Sequence, residues 1–202
     1  MNKLTITILL FLVLIVFQAK ADIWDTPGTK IYYSENKAFM LKVVPAISPK
    51  IIGKSGSEKE KSKMGTIAKN IAVTSCNATL YKISTAGATV VWKKKLINKI
   101  CPVTAIVSND GSSIVTFDNW YSKSYGDDLM VVYNQQGDLK KRNKFEEVSP
   151  FPLKDYPQSK ASLLLISDQK YIDNDRIEIS FQNEKEITKT RIYNVKKLIF
   201  EK

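Results

Sequence analysis

Along residues 176–181 the apolar side chains Ile177, Ile179 and Phe181 alternate with Arg176, Glu178 and Ser180, the period of two expected of a strand with one wet and one dry face. Short runs rich in Val, Ile, Thr, Tyr and Phe recur along the chain, and no segment holds apolar spacings of three and four for long. The pattern predicts strands over 38–44, 71–83, 88–93, 103–107, 113–118, 129–134, 162–166, 176–181 and 186–193. Leu129-Met130-Val131-Val132-Tyr133 is apolar without interruption, which predicts a central strand covered on both faces.

Turn chemistry separates these runs. Asn109-Asp110-Gly111, Gln135-Gln136-Gly137-Asp138 and Thr85-Ala86-Gly87 supply residues that tolerate positive φ between neighbouring strands, so the strands pair as antiparallel hairpins. Pro45, Pro49, Pro150, Pro152 and Pro157 fall outside the predicted strands, where a missing N–H does no harm. Three polar turns, beginning at Ser34, Ser108 and Ser167, each precede a strand-like run and form a faint repeat with separations of 74 and 59 residues. The expected fold class is all-β and mainly antiparallel: a β-meander or small sandwich of two or three propeller-blade-like hairpin sheets with one disulfide. About nine strands are too few for a whole propeller.

The N-terminus follows a different pattern. Met1-Asn2-Lys3 is cationic, residues 4–17 are apolar apart from Thr5 and Thr7, and Ala19-Lys20-Ala21 is a small-x-small cleavage pattern. Fourteen residues are too few to span a bilayer, which takes about 20, but suit a signal peptide. The expectation is a cleaved signal peptide over 1–21, export to the periplasm or beyond, and a single β-rich domain over 22–202 with no membrane span. An uncleaved N-terminal anchor is the alternative. In an exported chain Cys76 and Cys101 are expected to be bridged, closing a loop worth about 3 kcal/mol in the chain-entropy model. Residues 53–65, polar until Met64 and with alternating Glu and Lys, read as a mobile surface loop.

Composition narrows the chemistry further. The 202 residues include no histidine, which removes Ser-His-Asp and Cys-His catalysis, imidazole-ligated metals and an imidazole base. The formal charge is +11, and residues 82–101 carry five lysines and no acid while 102–202 is balanced. Lys93, Lys94, Lys95 and Lys99, beside Trp92, form a candidate basic patch for phosphate or an acidic envelope polymer. With only three arginines and no recognisable nucleic-acid motif, nucleic acid is not expected as a partner.

The segment from Val107-Ser108-Asn109-Asp110-Gly111 through Val115-Thr116-Phe117-Asp118-Asn119-Trp120 to Tyr125-Gly126-Asp127-Asp128-Leu129 and on to Gly137 resembles a stretch of uncharacterised secreted bacterial proteins with propeller-like β hairpins. The resemblance covers about 30 residues, departs at Ser124 where a glycine is more usual, and implies a β fold and export without an activity.

Within that stretch the 118–128 loop is the most unusual part of the chain. Asp118, Asn119, Trp120, Tyr121, Tyr125, Asp127 and Asp128 are the candidate ligand-binding residues, the rings as a contact surface and the oxygens as polar anchors. Its carboxylates and carbonyls would suit calcium, a cation taking six to eight oxygens, although no cofactor is required and the bland alternative is a loop shaped by its own backbone bonds. Asp173-Asn174-Asp175 lacks the glycine and distant Glu of a calcium loop and reads as a turn. Ser34-x-x-Lys37 and Ser167-x-x-Lys170 have the spacing of Ser-Lys enzymes but sit in turns ahead of strands rather than opening helices. The leading expectation is a non-enzymatic exported module that binds an unknown protein, peptide or acidic envelope polymer. The alternative is a His-free hydrolase acting on glycans through paired carboxylates among Asp118, Asp127 and Asp128. Oligomeric state is open, because the 186–193 edge could pair with another chain or be guarded by Lys189 and Arg191.

Overall fold

The computed structural model describes residues 26–46, 75–120, 126–156 and 165–201. The signal-peptide segment, the 53–65 loop, Tyr121 and Tyr125 lie outside these residues, as do 71–74 and 162–164 of the expected strands.

Twelve described strands form three four-stranded antiparallel sheets, each a meander of consecutive strands. Sheet A contains β1 (Lys30–Tyr33), β2 (Phe39–Val44), β3 (Asn77–Ser84) and β4 (Gly87–Lys95); sheet B contains β5 (Thr104–Val107), β6 (Ser113–Phe117), β7 (Met130–Asn134) and β8 (Leu139–Asn143). Sheet C is built from β9 (Ile166–Tyr171), β10 (Arg176–Gln182), β11 (Thr188–Asn194) and β12 (Ile199–Phe200). A one-turn helix α1 (Phe145–Val148) links B to C. Among the described residues no helix is long and apolar enough to cross a membrane.

The sheets stack in the order A, B, C because B is apolar on both faces. Every residue of β6 is buried, and so are Met130, Val131, Val132 and Tyr133 of β7, as the unbroken apolar run predicts. Ile114, Val131 and Tyr133 pack with Leu41, Val43, Leu80 and Trp92 of sheet A. The alternate residues Val115, Phe117, Met130 and Val132 pack with Ile177, Ile179, Phe181 and Tyr193 of sheet C. Full burial of such side chains contributes roughly 1.5–3 kcal/mol each. Strands β1, β5 and β9 lie side by side in that order, so the three meanders stand like successive blades.

The repeat is real but its third copy is displaced. The Ser34 N–H donates to Phe39 O and the Ser108 N–H to Ser113 O, while the two hydroxyls accept from the N–H groups of Phe39 and Ser113. In sheet C the matching closure is Ile172 N–H to Arg176 O, and Ser167 lies inside β9 instead. There Asp173 takes over, its Oδ1 accepting from the N–H groups of Asp175 and Arg176 and its Oδ2 from Arg176 Nε. Replacing Asp173 with Ala should cost about 1 kcal/mol in a denaturant titration, the usual net worth of a few exposed turn bonds. An unchanged midpoint would show that the turn holds without it.

The disulfide is a correction. Cys76 and Cys101 are both buried in the cluster between sheets A and B, and both are free thiols. Loop-closure arithmetic counts the residues between two cysteines; bonding also demands a narrow sulfur geometry that spacing alone does not convey. Burial, reinforced by Cys101, pushes the Cys76 thiol up to about 12, and burial raises Cys101 to about 11 against the pull of nearby Lys30. Thiols so hard to ionise are poor nucleophiles at neutral pH.

Candidate functional site

The 118–128 loop starts as a backbone-shaped turn. Asp118 sits at φ 53, a left-handed conformation that Asp tolerates better than most residues, and its N–H donates to Leu129 O at 2.8 Å. Its Oδ1 accepts from the Asn119 N–H at 2.7 Å, and the buried Asn98 amide donates to both Asp118 O and Asn119 Oδ1. Trp120 is anchored by its N–H to Cys101 O, packs against the A–B core, and carries the Lys30 ammonium 4.4 Å from its ring centroid. Lys30 Nζ also donates to Val103 O at 2.8 Å, and burial lowers its pKa, partly offset by Cys101.

At the loop's far end the acids face an arginine. Arg142 Nε donates to Asp128 Oδ1 at 2.5 Å and its Nη2 lies 3.7 Å from Asp127 Oδ2; the Asp128 bond raises the guanidinium pKa further. A glycosidase pair must oppose each other across an open cleft, one holding a proton. Asp127 and Asp128 instead share one cation. Among the described residues no three Asp, Glu or Cys side chains are grouped to hold a metal ion.

The lysine patch is divided by the alternation of β4. Lys94 turns toward sheet B and pairs with Asp138, and this bond holds the Asp138 carboxyl below its ordinary range. Lys99 lies exposed in the connection to β5. Lys93 and Lys95 project from the opposite face of sheet A, the face that turns away from B.

That outer face is the feature that linear reading missed, because it is assembled by register across four strands. One row runs Tyr33, Met40, Tyr81, Val90; the next runs Ile31, Lys42, Thr79, Lys93; a third pairs Val44 and Asn77 with Lys95. A slip at Leu80/Tyr81 adds Val91 beside Val90. Ile31, Tyr33, Val44, Val90 and Val91 are five of the nine large apolar side chains exposed among the described residues, at 39 to 55%. Single exposed apolar groups are ordinary, but here the half-buried Met40 and Tyr81 link Tyr33 to Val90 across the whole sheet. The outer face of sheet C differs: there Lys170 pairs with Glu178, Asp168 stands opposite Ser180, and Ser180 bonds Thr190.

A cleft of about 380 Å³ between the hairpin ends of sheets B and C is lined in part by Asp110, Lys140, Asp175 and Lys196. Asp110 is occupied in its own turn, where bonds from Ser112 and Ser108 outweigh burial and lower its pKa.

No protein-family model and no curated protein matches the chain. Among solved structures the chain is similar to the β-propeller domain of the Trilobed protease from Pyrococcus furiosus, at 10% identity and a TM-score of 0.42, over 87% of this chain and 41% of that one. It is also similar to TolB from Acinetobacter baumannii, at 11% identity and a TM-score of 0.39, over 87% of this chain and 32% of that one. The chain thus spans less than half the length of either, and its own three four-stranded meanders are all-β and antiparallel.

Proposed function

We propose that this chain is an exported, non-enzymatic interaction module that docks through the outer face of sheet A onto an anionic surface of the cell envelope. The observation that carries the reading is the cross-strand row Tyr33, Met40, Tyr81, Val90 with Lys42, Lys93 and Lys95 beside it. Export rests on the cationic start, the apolar run and the small-x-small pattern of residues 1–21. The shared Arg142 contact of Asp127 and Asp128 favours a structural part for that end of the loop over acid–base work.

Lysine footprinting tests the reading without knowledge of the partner. Acylation of intact cells or spheroplasts should leave Lys42, Lys93 and Lys95 several-fold less modified than in the purified chain, while exposed Lys185 reacts equally in both. Equal reactivity of all four would remove the docking surface.

A further inference from the structure

The outer face of sheet A is graded along its strands. From Ile83 to Trp92 the chain carries no charge, and residues 84–91 at the β3–β4 hairpin are all exposed. Lys93 and Lys95 follow on the same face, with Lys42 two strands away in the Lys93 row. None of the side chains in the three outer rows is acidic. A strand advances about 3.3 Å per residue, and the Val90 and Lys93 rows lie two residues apart on β1, β2 and β3, so they are separated by about 7 Å.

We propose that the anionic surface is a lipid bilayer, met hairpin end first. Val90, Val91 and Tyr33 enter the boundary between headgroups and acyl chains, and Lys42, Lys93 and Lys95 lie at the level of the phosphates. This inference rests on the docking reading above and names its occupant. The separation matches the depth of about 5–10 Å to which peripheral apolar faces enter a membrane, and lysine stems can reach outward to keep their ammonium groups among phosphates. Tyrosine suits the same zone, with an apolar ring and a polar tip. Charge complementarity selects this occupant. A second copy meeting face to face would set the three lysines either against their own counterparts or against the apolar hairpin end, with no acid in these rows to meet them, and a soluble acidic polymer would leave the exposed valines in water.

Vesicle sedimentation decides it, using the chain expressed from Met1 and recovered as the cell processes it. The chain should sediment with vesicles of equal parts phosphatidylglycerol and phosphatidylcholine, much less with phosphatidylcholine alone, and progressively less as salt is raised. Replacing Lys93 and Lys95 with Gln should weaken binding on the order of 30-fold, at about 1 kcal/mol per lysine near an anionic surface. The pair Val90→Ser and Val91→Ser keeps the charge and should also weaken binding, by about tenfold or more. Both variants share the wild-type N-terminus, so any contribution of residues 1–21 cancels, and their exposed positions leave thermal melting unchanged. Absence of binding to the anionic vesicles, equal binding to neutral ones, or insensitivity to the valine pair would each overturn the inference. Lysines protected in cells while the purified chain ignores vesicles would leave an acidic protein or glycan as the occupant. Lysines unprotected in cells would take the docking reading itself away.

Discussion

Between pH 9 and pH 12 the folded domain should lose its stability and unfold cooperatively. Burial is the first cause in each group concerned. It pushes Cys76 up to about 12 and Cys101 to about 11 from an ordinary 9.0, and Tyr133 and Tyr193 to about 12 from 10.0. Tyr32 and Tyr171 are raised as well, the latter although its hydroxyl bonds Ser113. In all six the folded state holds a proton that the unfolded chain releases. Their stabilisation is therefore complete below the unfolded pKa and is lost as pH rises toward the folded one. Each group removes up to about 1.4 kcal/mol per pH unit in that window. The two thiols act from about pH 9 and the four phenols from about pH 10, so the loss steepens through that window against an ordinary stability of ~5–15 kcal/mol. Lys30 works the other way, since its lowered pKa favours the folded state as pH rises, but it is outnumbered. Denaturant midpoints measured from pH 8 to 11 should fall steadily, and tyrosinate absorbance from these buried rings should appear in one step with unfolding. A flat midpoint, or ionisation of the buried rings well ahead of unfolding, would show that these groups are not sequestered from water.

How much of this is legible in the sequence depends on what holds each element in place. Strands β6 and β7 announce themselves because a middle sheet must be apolar on both faces. Strand β8, with the sequence LKKRN, gives no such sign: it is held by pairing to β7, and its basic side chains reach acids at Asp128 and Glu147. The run Leu163-Leu164-Leu165 draws the expected strand to 162–166, whereas the ladder to β10 fixes β9 at Ile166–Tyr171. The first and last strands, β1 and β12, are too short for any periodicity to register. The basic patch shows the same limit. Adjacent lysines read as one cluster, yet a pleated strand sends Lys94 one way and Lys93 and Lys95 the other. The companions of the outer pair, Lys42, Tyr33 and Met40, are more than 50 residues away in sequence and become neighbours only through register. Propensity can place a strand, but a face belongs to the sheet.

The turn glycines are legible as turns, and their second duty is not. Gly111 adopts φ +69 and Gly137 φ +75, as their hairpins require. Each also lies beneath an aromatic ring of sheet A. A Cβ on Gly137 would come within 3.0 Å of three atoms of Trp92, and one on Gly111 within 2.7 Å of three ring atoms of Phe39. Phe39 is only 8% exposed and its ring is held in the A–B core, so it has little room to withdraw. Gly111→Ala should therefore cost about 2–5 kcal/mol: roughly 1–2 for forcing a Cβ into the left-handed region and about 1–3 for overpacking. For a chain of this length that lowers the melting temperature by about 4–20 °C. Gly87 supplies the comparison, since it has φ +118 and a Cβ there would meet nothing within 4 Å, so Gly87→Ala bears backbone strain alone. The two contributions separate in a cycle with Phe39→Ala. That change costs about 3–5 kcal/mol by itself, but it removes the ring, so in its background Gly111→Ala should retain only the backbone part. Full additivity would mean that the ring and the glycine do not meet, and that sheets A and B are spaced differently from the packing described above. A coupling of ~1–3 kcal/mol would place the hairpin of sheet B directly against the core of sheet A. It would also fix which face of A is left for the outside, because a sheet that presses Phe39 and Trp92 onto two glycines of its neighbour can offer only its opposite rows to a partner.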